Sequence, residues 1–246
     1  MNRRERDPVR APDDVEYDAA YFDHNLHRAH WFRNNAAKNA RRWRAILAML
    51  EPQPHDCILE IGCGAGEHAL PLAKRAGVVV GIDRAFAGIL RANARVARDH
   101  AANAWFATCD AMALPFADGS FHKVAAIDFV EHLADPPLVR TLGEARRVLK
   151  PRGVLAIYTP CITHYVEWMK AHNVLLRQIP GHIAVRGPDA YKRLLQGAGF
   201  AIESCSFLPS DYPLFGLFDR ALGALPGIGA WFRFRICIVA HKAAAS

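Results

Sequence analysis

Three glycines at alternate positions, Gly62, Gly64 and Gly66, follow an apolar stretch within the segment ILEIGCGAGEHA, residues 58–69. Glycines in such a turn leave backbone N–H groups accessible at the start of a helix and let a polar ligand approach the main chain. The spacing is GxGxG followed by Glu67, whereas dinucleotide-binding turns favour GxGxxG. Because an acidic side chain there would repel a pyrophosphate, the pattern favours a zwitterionic amino-acid ligand over a dinucleotide.

Acidic residues stand at the ends of the neighbouring predicted strands. Asp83 lies 21 residues after Gly62, where a carboxylate can accept hydrogen bonds from both ribose hydroxyls or, alternatively, cap a helix. Asp110 can accept from an adenine amino group with Met112 packing on the ring, although Asp is also a common turn residue. Glu60, two residues before the first glycine, can order hydrogen bonds toward an ammonium group.

The elements that must position these residues are apolar runs alternating with helical patterns. The predicted strands are CILEI, VVVGI, AWFATC, KVAAID, VLAIYT, FAIESCSF and FRFRICIVAHK, and the predicted helices cover residues 67–76, 85–99, 136–149 and 188–197. This alternation predicts a parallel sheet with helices on both faces. Residues 160–186 are predicted to be irregular. A short helix is expected near 213–224, within the long and mostly apolar connection 208–231.

Composition limits the classes of protein. With 246 residues, 52% apolar and 22% charged, the chain is long enough and balanced enough for one globular domain. No apolar run reaches the roughly 18–20 residues that span a bilayer, and the charged N-terminal segment lacks the apolar region of a secretory signal. The six cysteines are scattered without a CxxC pair, which argues against a zinc site or a disulfide framework. We therefore expect a cytoplasmic protein.

The net charge of +7 is concentrated near the start of the chain. Residues 24–48 contain six Lys and Arg residues, no acidic residue, and apolar residues at helical spacing. This pattern predicts a basic helix, which is either the solvated face of a docked helix or a patch that attracts phosphate. The aromatic residues before it either cover the ligand or pack this helix onto the sheet; they are Tyr17, Tyr21, Trp31 and Phe32.

The run from Ile58 to Ile157 resembles the class I adenosylmethionine-dependent methyltransferases, in particular the small-molecule branch that includes quinone-biosynthesis C-methyltransferases. The matching segments are ILEIGCGAGEHA, VVVGIDRA, CDAMALPFADGSFHKVAAIDFVEHLADP and EARRVLKPRGVLAIYTP, and later GPDAYKRLLQGAGFAIES. The resemblance implies a Rossmann-like, doubly wound α/β fold with a seven-stranded sheet in the order 3-2-1-4-5-7-6 and strand 7 antiparallel. It implies an N-terminal tail and cap helices over 1–50 and a methyltransferase domain over 51–246, whose acceptor-lining insertions are 160–186 and 208–231.

The resemblance also implies S-adenosyl-L-methionine as the cofactor and assigns residues to it. The glycine loop would enclose the methionine and ribose, Asp83 would hold the ribose, Arg84 would border the adenine, and Asp128 would lie near the methionine end. The implied cofactor-binding residues are Glu60, Gly62, Cys63, Gly64, Gly66, Asp83, Arg84, Asp110, Ala111, Met112 and Asp128.

Methyl transfer from a sulfonium is a direct displacement, so the protein mainly aligns the acceptor, and a general base is needed only if the acceptor loses a proton. His132, which follows the fourth strand, is the best-placed base, although such a histidine also packs structurally. His164, His182 and Tyr158 are further candidates. No metal is expected, because the sequence shows no paired carboxylates and no His/Asp cluster.

The predicted partner is a small or lipid-like acceptor, with peripheral membrane contact through the uncharged connection and the basic helix. An RNA-modifying methyltransferase is the alternative, but DFVE stands where such enzymes carry an NPPY-like tetrapeptide, so no nucleic acid is expected. A nicotinamide-dependent oxidoreductase is the second alternative, and the GxGxG spacing disfavours it. A non-catalytic scaffold is disfavoured by the intact cofactor positions. The sequence predicts nothing about the oligomeric state.

Overall fold

The computed structural model describes residues 36–178, 181–210 and 213–243, so the aromatic residues predicted to cover the ligand lie outside the described part. The strands are β1 (Cys57–Ile61), β2 (Val78–Asp83), β3 (Ala104–Thr108), β4 (Phe121–Ile127), β5 (Leu149–Pro160), β6 (Phe200–Leu208) and β7 (Arg235–Lys242). The helices are α1 (Ala36–Leu50), α2 (Ala69–Ala73), α3 (Phe86–Asp99), α4 (Asp135–Val148), α5 (Tyr165–Ala171), α6 (Pro188–Gly197) and α7 (Pro213–Leu222). Two short 3₁₀ turns cover Val130–His132 and Gly229–Phe232.

The seven strands form one sheet in the order β3-β2-β1-β4-β5-β7-β6. The pairs from β3 to β5 are parallel, with Leu59 beside Val124 across β1 and β4. β7 runs antiparallel to both β5 and β6, with Ile157 beside Ile238. The predicted fold class, strand order and direction of the last strand are confirmed. The carboxyl ends of the parallel strands therefore meet at one edge, where ligands bind in sheets of this kind.

Successive side chains of the central strands point to opposite faces of the sheet, so each face has its own apolar core. Leu59 and Ile61 of β1 point into one core, which α4 and α6 cover with Leu138, Leu142 and Leu195. Ile58 points into the other core, which is closed by Ile46 and Leu50 of α1, Leu70 and Leu72 of α2, and Ile89 of α3. In the described part of the chain, none of the helices combines the length and the apolarity needed to cross a membrane.

The structure differs from the sequence prediction in the segment 160–186, which contains the helix α5 instead of being irregular throughout. The helix begins there because His164 caps it: its Nδ1 accepts the backbone N–H of Val166 at 3.1 Å. Histidine is not among the usual capping residues, so the sequence carries no ordinary start signal at this point. The helix expected near 213–224 is present as α7.

α5 and the 208–231 connection pack on each other and form one unit, the α5–α7 unit. The buried His164 donates from Nε2 to both carboxylate oxygens of Asp219 at 3.1 Å, and Asp219 also accepts the backbone N–H of Ser210. The ring of Tyr165 contacts Phe215 and Phe232, with centroids 5.7 and 5.6 Å apart. A network of buried hydrogen bonds and aromatic contacts therefore joins the two segments that the sequence predicts to line the acceptor.

Two glycines let the backbone of this unit fold back closely on itself. A Cβ atom on Gly216 would lie 2.3 Å from the carbonyl oxygen of Ser210, and one on Gly229 would lie 2.5 Å from that of Gly223. Real Cβ atoms do not approach a carbonyl oxygen so closely, so any larger residue would displace the main chain.

Candidate active site

The glycine loop leaves β1 in a left-handed conformation, with φ of 74°, 52° and 72° at Gly62, Gly64 and Gly66. The backbone N–H groups of Gly62 and Cys63 both donate to the carbonyl oxygen of Ile82, at 2.8 and 2.9 Å, which fixes the loop against the end of β2. A Cβ atom on Gly62 would lie 2.3 Å from Cδ2 of Phe129. The loop is therefore shaped both by backbone geometry and by an aromatic ring from the end of β4.

Asp83 connects the glycine loop to the start of α3. Its Oδ2 accepts the backbone N–H of Gly64 and its Oδ1 accepts that of Ala85, both at 2.8 Å. The N-cap position of α3 is occupied by Ala85 without a side-chain capping hydrogen bond, so Asp83 forms a local turn before the helix instead of capping it. Each carboxylate oxygen has a second lone pair, so the same side chain is still able to accept hydroxyl groups. Its proposed contact with ribose stays a prediction.

A pocket lies at the carboxyl ends of β1, β2 and β3, and it brings together about half of the predicted cofactor residues. The predicted residues among its lining are Gly62, Asp83, Arg84, Asp110, Ala111 and Met112. The residues that the sequence analysis did not assign are Ile61, Ile82, Cys109, Phe129, Leu133 and Thr141. Phe129 and Leu133 lie close to His132 in the sequence. Their position shortly after the fourth predicted strand is the sequence signal that could have identified them.

The loop that carries Asp110 and Met112 is fixed by its own hydrogen bonds and by α4. Asp110 accepts the backbone N–H of Met112 through Oδ1 at 2.9 Å, so the predicted turn role is present as well. Glu144 accepts the backbone N–H of Leu114 at 2.7 Å. Arg147 is paired with Glu144 and donates to the carbonyl oxygens of Leu114 and Phe116 at 2.9 and 2.7 Å. One wall of the pocket is therefore rigidly attached to α4.

Asp128 has a different environment from the pocket residues. Its φ is 48°, its N–H donates to the carbonyl oxygen of Tyr158 at 2.8 Å, and its carboxylate pairs with Arg42 of α1 and with Arg235 of β7, the latter at 2.6 Å. Both guanidinium groups lie 5.4 Å from the centroid of the Tyr158 ring. Burial opposes ionisation of Asp128, but the two arginines outweigh it and hold the pKa of this carboxyl well below its usual value.

Glu60, which precedes the loop, and Cys63, which is part of it, are both buried and are not among the residues that line the pocket. The carboxylate of Glu60 is fully buried, and its Oε1 lies 3.3 Å from Nδ1 of His68. Burial is the main reason that the pKa of the Cys63 thiol is strongly raised. The negative charges of Glu60 and Asp83 raise it further. Cys63 is therefore a packing residue in its neutral form.

His132, the predicted catalytic residue, lies in the 3₁₀ turn after β4 beside Glu131 and His182. Its Nδ1 is 2.8 Å from the carbonyl oxygen of Gly181, so this nitrogen carries the proton, and its ring lies 5.0 Å from that of His182 between centroids. Burial lowers the pKa of His132, and it lowers the pKa of His182 to about 3. Burial and the charge of Asp128 raise the pKa of Glu131. Both imidazoles are therefore neutral at pH 7.

The other two candidate bases are engaged within the protein. His164 uses both ring nitrogens, one to cap α5 and one to donate to Asp219, and it is fully buried. Tyr158 is buried beneath the guanidinium groups of Arg42 and Arg235. These contacts give both residues structural roles.

The residues of the pocket suit a nucleoside with an attached amino acid. The hydroxyl of Thr141 lines the pocket, is buried, and has no hydrogen-bond partner among the described residues. A buried hydroxyl without a partner is costly, and a ligand with polar ring atoms would satisfy it. The exposed carboxylate of Asp110 and the side chain of Met112 provide an acceptor and an apolar surface beside it.

A family model described as a methyltransferase domain matches residues 58–153. The 27-O-demethylrifamycin SV methyltransferase of Amycolatopsis mediterranei (strain S699) is 32% identical over 186 residues, which cover 73% of this chain and 68% of that protein. The demethylmenaquinone methyltransferase of Thermus thermophilus is also 32% identical over 186 residues, which cover 66% of this chain and 82% of that protein.

Among solved structures, the geranyl diphosphate C-methyltransferase from Streptomyces coelicolor A3(2) superposes with a TM-score of 0.64. It is 18% identical, and the match covers 83% of this chain and 77% of that chain. At this identity the likeness shows the fold alone. It agrees with the strand order described above.

Replacing Gly62 with alanine tests the fit of the loop. Because the new Cβ would meet the Phe129 ring and the residue would be held at positive φ, we expect Gly62→Ala to lower the free energy of unfolding by about 1–3 kcal/mol. The matched control is Gly143→Ala in the middle of α4, where a Cβ meets nothing within 4 Å and alanine favours the helix. Urea denaturation of both variants measures the difference. Equal stability of the two would contradict the assigned loop geometry.

Proposed function

Because this chain belongs to the class I adenosylmethionine-dependent methyltransferases of the small-molecule type, we propose that it methylates an amphipathic or lipid-like acceptor. The acceptor is placed at the carboxyl ends of β4 and β5, between the cofactor pocket and the α5–α7 unit. The family membership makes the protein an enzyme with S-adenosyl-L-methionine as its cofactor. The acceptor and the residue roles below are proposals.

The pocket at the ends of β1 to β3 is the proposed seat of the adenosyl group. When bound, the cofactor supplies a methyl group activated by its sulfonium. Asp83 accepts the ribose hydroxyls, and Asp110 accepts the adenine amino group, while Met112 and Arg84 border the ring. Gly62 makes room for the Phe129 ring, which borders the pocket at the proposed methionine end. Asp128 orders that end through Arg42 and Arg235, and the buried side chains of Glu60 and Cys63 support the loop.

The observation that carries the acceptor proposal is the apolar surface of the α5–α7 unit. Part of its aromatic content is packed internally, as the contacts of Tyr165 with Phe215 and Phe232 show. Large apolar side chains are nevertheless exposed along it: Trp168, Leu217, Phe218, Leu225, Ile228 and Trp231. The groups after β4 are polar, with Glu131, His132 and His182 together. An acceptor with a polar reacting end and an apolar body matches both surfaces.

The relatives support a small acceptor in general terms. Their names specify a demethylated rifamycin and a demethylmenaquinone as substrates of those proteins. The comparisons support this function over the RNA-modifying and nicotinamide-dependent alternatives. We propose His132 as the catalytic residue of the acceptor site, since it lies between Phe129 and Leu133, which line the cofactor pocket.

The proposed role of Asp83 predicts a loss of cofactor affinity. Asp83→Ala removes hydrogen bonds to a charged acceptor and should weaken adenosylmethionine binding by about 1.5–3 kcal/mol, which is about 10- to 150-fold. Calorimetry measures this change, and the thermal midpoint checks that the variant folds. The control is Asp189→Ala on the exposed side of α6, which should bind normally. If the folded Asp83→Ala variant binds adenosylmethionine with unchanged affinity, Asp83 does not bind the cofactor and only makes its hydrogen bonds to Gly64 and Ala85.

The acceptor class is tested by following the methyl group. The protein is incubated with methyl-labelled adenosylmethionine and, separately, with an organic-solvent extract and an aqueous, nucleic-acid-containing extract of bacterial cells. We expect label in organic-soluble molecules, and about 10- to 150-fold slower labelling with Asp83→Ala under subsaturating cofactor. Label confined to nucleic acid or to strongly polar small molecules would overturn the proposed acceptor class.

We further propose that the protein is cytoplasmic and touches the membrane surface through the exposed apolar side chains within residues 217–231 of the α5–α7 unit. The exposed Arg220 lies among these apolar side chains, and the net charge of +7 favours an anionic surface. This contact would bring an apolar acceptor from the bilayer to the site.

Vesicle flotation tests this contact. Wild-type protein should float with vesicles of phosphatidylcholine and phosphatidylserine, and Leu217→Asp/Phe218→Asp should reduce the floated fraction several-fold because it places charge on the apolar surface. The matched control is Leu90→Asp/Val139→Asp, which makes the same charge change at exposed apolar residues of α3 and α4. The membrane contact is refuted if the wild type stays at the bottom of the gradient or if both double variants behave alike.

A further inference from the structure

We infer that Glu131, His132 and His182 form a binding site for one divalent transition-metal ion at the acceptor end of the sheet. Each residue offers one ligand atom, and these atoms all lie within 4.8 Å of one another. Oε1 of Glu131 lies 4.0 Å from Nε2 of His182. The three residues are separated by up to 51 positions in the chain, so the fold, and not local sequence, brings them together.

The separations suit an ion after a small contraction. Metal–nitrogen and metal–oxygen bonds of about 2.0–2.2 Å place the ligand atoms of a tetrahedral ion roughly 3.4 Å apart. Oε1 of Glu131 and Nε2 of His182, which are 4.0 Å apart, would have to approach each other by about 0.6 Å to reach this spacing.

The ligands are already oriented by neighbouring groups. His132 donates from Nδ1 to the carbonyl oxygen of Gly181 at 2.8 Å, so Nε2 is the nitrogen whose lone pair would bind an ion. Thr159 donates to Oε2 of Glu131 at 3.0 Å, which directs the other oxygen of that carboxylate. Metal-binding sites generally hold imidazoles and carboxylates through such outer hydrogen bonds.

The segment that carries His182 is fastened to the turn that carries the other two ligands. The N–H of Ala184 donates to the carbonyl oxygen of Glu131 at 3.0 Å. Arg186 is buried and donates to the carbonyl oxygens of Val130 and Leu133 at 3.1 and 2.6 Å. These bonds fix the position of His182 relative to β4 across a long connection. They make the cluster a built site and not a chance approach of three side chains.

One polar atom inside the cluster is unsatisfied. Oε1 of Glu131 is buried and has no hydrogen-bond partner among the described residues. Glu131 is fully buried, and leaving a carboxylate oxygen there without a partner is costly. A bound cation would satisfy this oxygen.

The ligand set indicates the kind of ion. Two imidazoles and one carboxylate suit Zn²⁺, Fe²⁺ or Co²⁺, whereas Mg²⁺ prefers oxygen ligands alone. Three protein ligands also leave at least one position open. The turn from Val130 to His132 is flanked by Phe129 and Leu133, which line the proposed cofactor pocket, so the cluster lies next to that pocket.

The role of such an ion rests on the proposed function and extends it. The ion would bind a hydroxyl oxygen of the acceptor and lower the pKa of that hydroxyl. The O–H bond breaks and its proton passes to water. The oxygen forms a bond to the methyl carbon while the carbon–sulfur bond breaks and its electron pair stays on sulfur. His132 then acts on the acceptor through the ion, and the reaction is an O-methylation.

Metal titration in the absence of cofactor and acceptor tests the site directly. The untagged full-length chain, stripped with a chelator, is titrated with Co²⁺ by visible absorption and with Zn²⁺ by calorimetry. We expect one ion per chain, and at least tenfold weaker binding in both His182→Ala and Glu131→Gln. Glu131→Gln keeps the size of the side chain and the Thr159 contact, so it remains informative if His182→Ala is unstable. The control is His172→Ala, an exposed histidine outside the cluster, which should bind as the wild type does.

The inference is overturned if the wild type binds no ion or if Glu131→Gln binds it with unchanged affinity. Calorimetry with adenosylmethionine on the same stripped samples separates this result from the proposed function. Normal cofactor binding without metal binding removes the metal site and leaves the methyltransferase proposal. Metal binding without cofactor binding would leave the metal site and contradict the proposed function.

Discussion

The ionic contact of Asp128 with Arg42 and Arg235 joins parts of the chain that are far apart in sequence. Arg42 belongs to α1, Asp128 follows β4, and Arg235 begins β7. Taking three charged groups out of bulk water is costly, and the contact is stable because each guanidinium has the carboxylate on one side and the Tyr158 ring nearby. The position of α1 against the sheet and the exit of the chain from β4 are therefore set together.

The left-handed backbone of Asp128 turns the chain sharply at the end of β4. The next residue, Phe129, is thereby directed against the glycine loop, where it occupies the space that a side chain on Gly62 would need. Two residues later the chain enters the buried environment of Glu131. One turn thus shapes the glycine loop and positions Glu131 and His132 next to it, so the two regions are fixed relative to each other.

Much of the fold was predictable from sequence because strands and helices alternate clearly and the glycine spacing fixes the first turn. The sequence also assigned six residues that the structure brings to one pocket, from Gly62 to Met112. The helix α5 was missed because a histidine caps it. The proximity of His182 to Glu131 and His132 was missed because it depends on Arg186 and Ala184, whose backbone and guanidinium contacts leave no periodic pattern. The partners of Asp128 were missed for the same reason, since arginines from α1 and β7 meet only in three dimensions.

In the α5–α7 unit, the close backbone contacts of Gly216 and Gly229 determine the path of the main chain independently of the side chains on its surface. The main chain there is held by glycine-to-carbonyl approach and by the buried pair of His164 and Asp219. Its outward side chains, such as Leu217 and Trp231, contribute little to that arrangement because they are exposed. Natural variation or laboratory selection is thus free to exchange them one at a time. A scaffold of this kind is able to change its exposed apolar surface without first losing its fold.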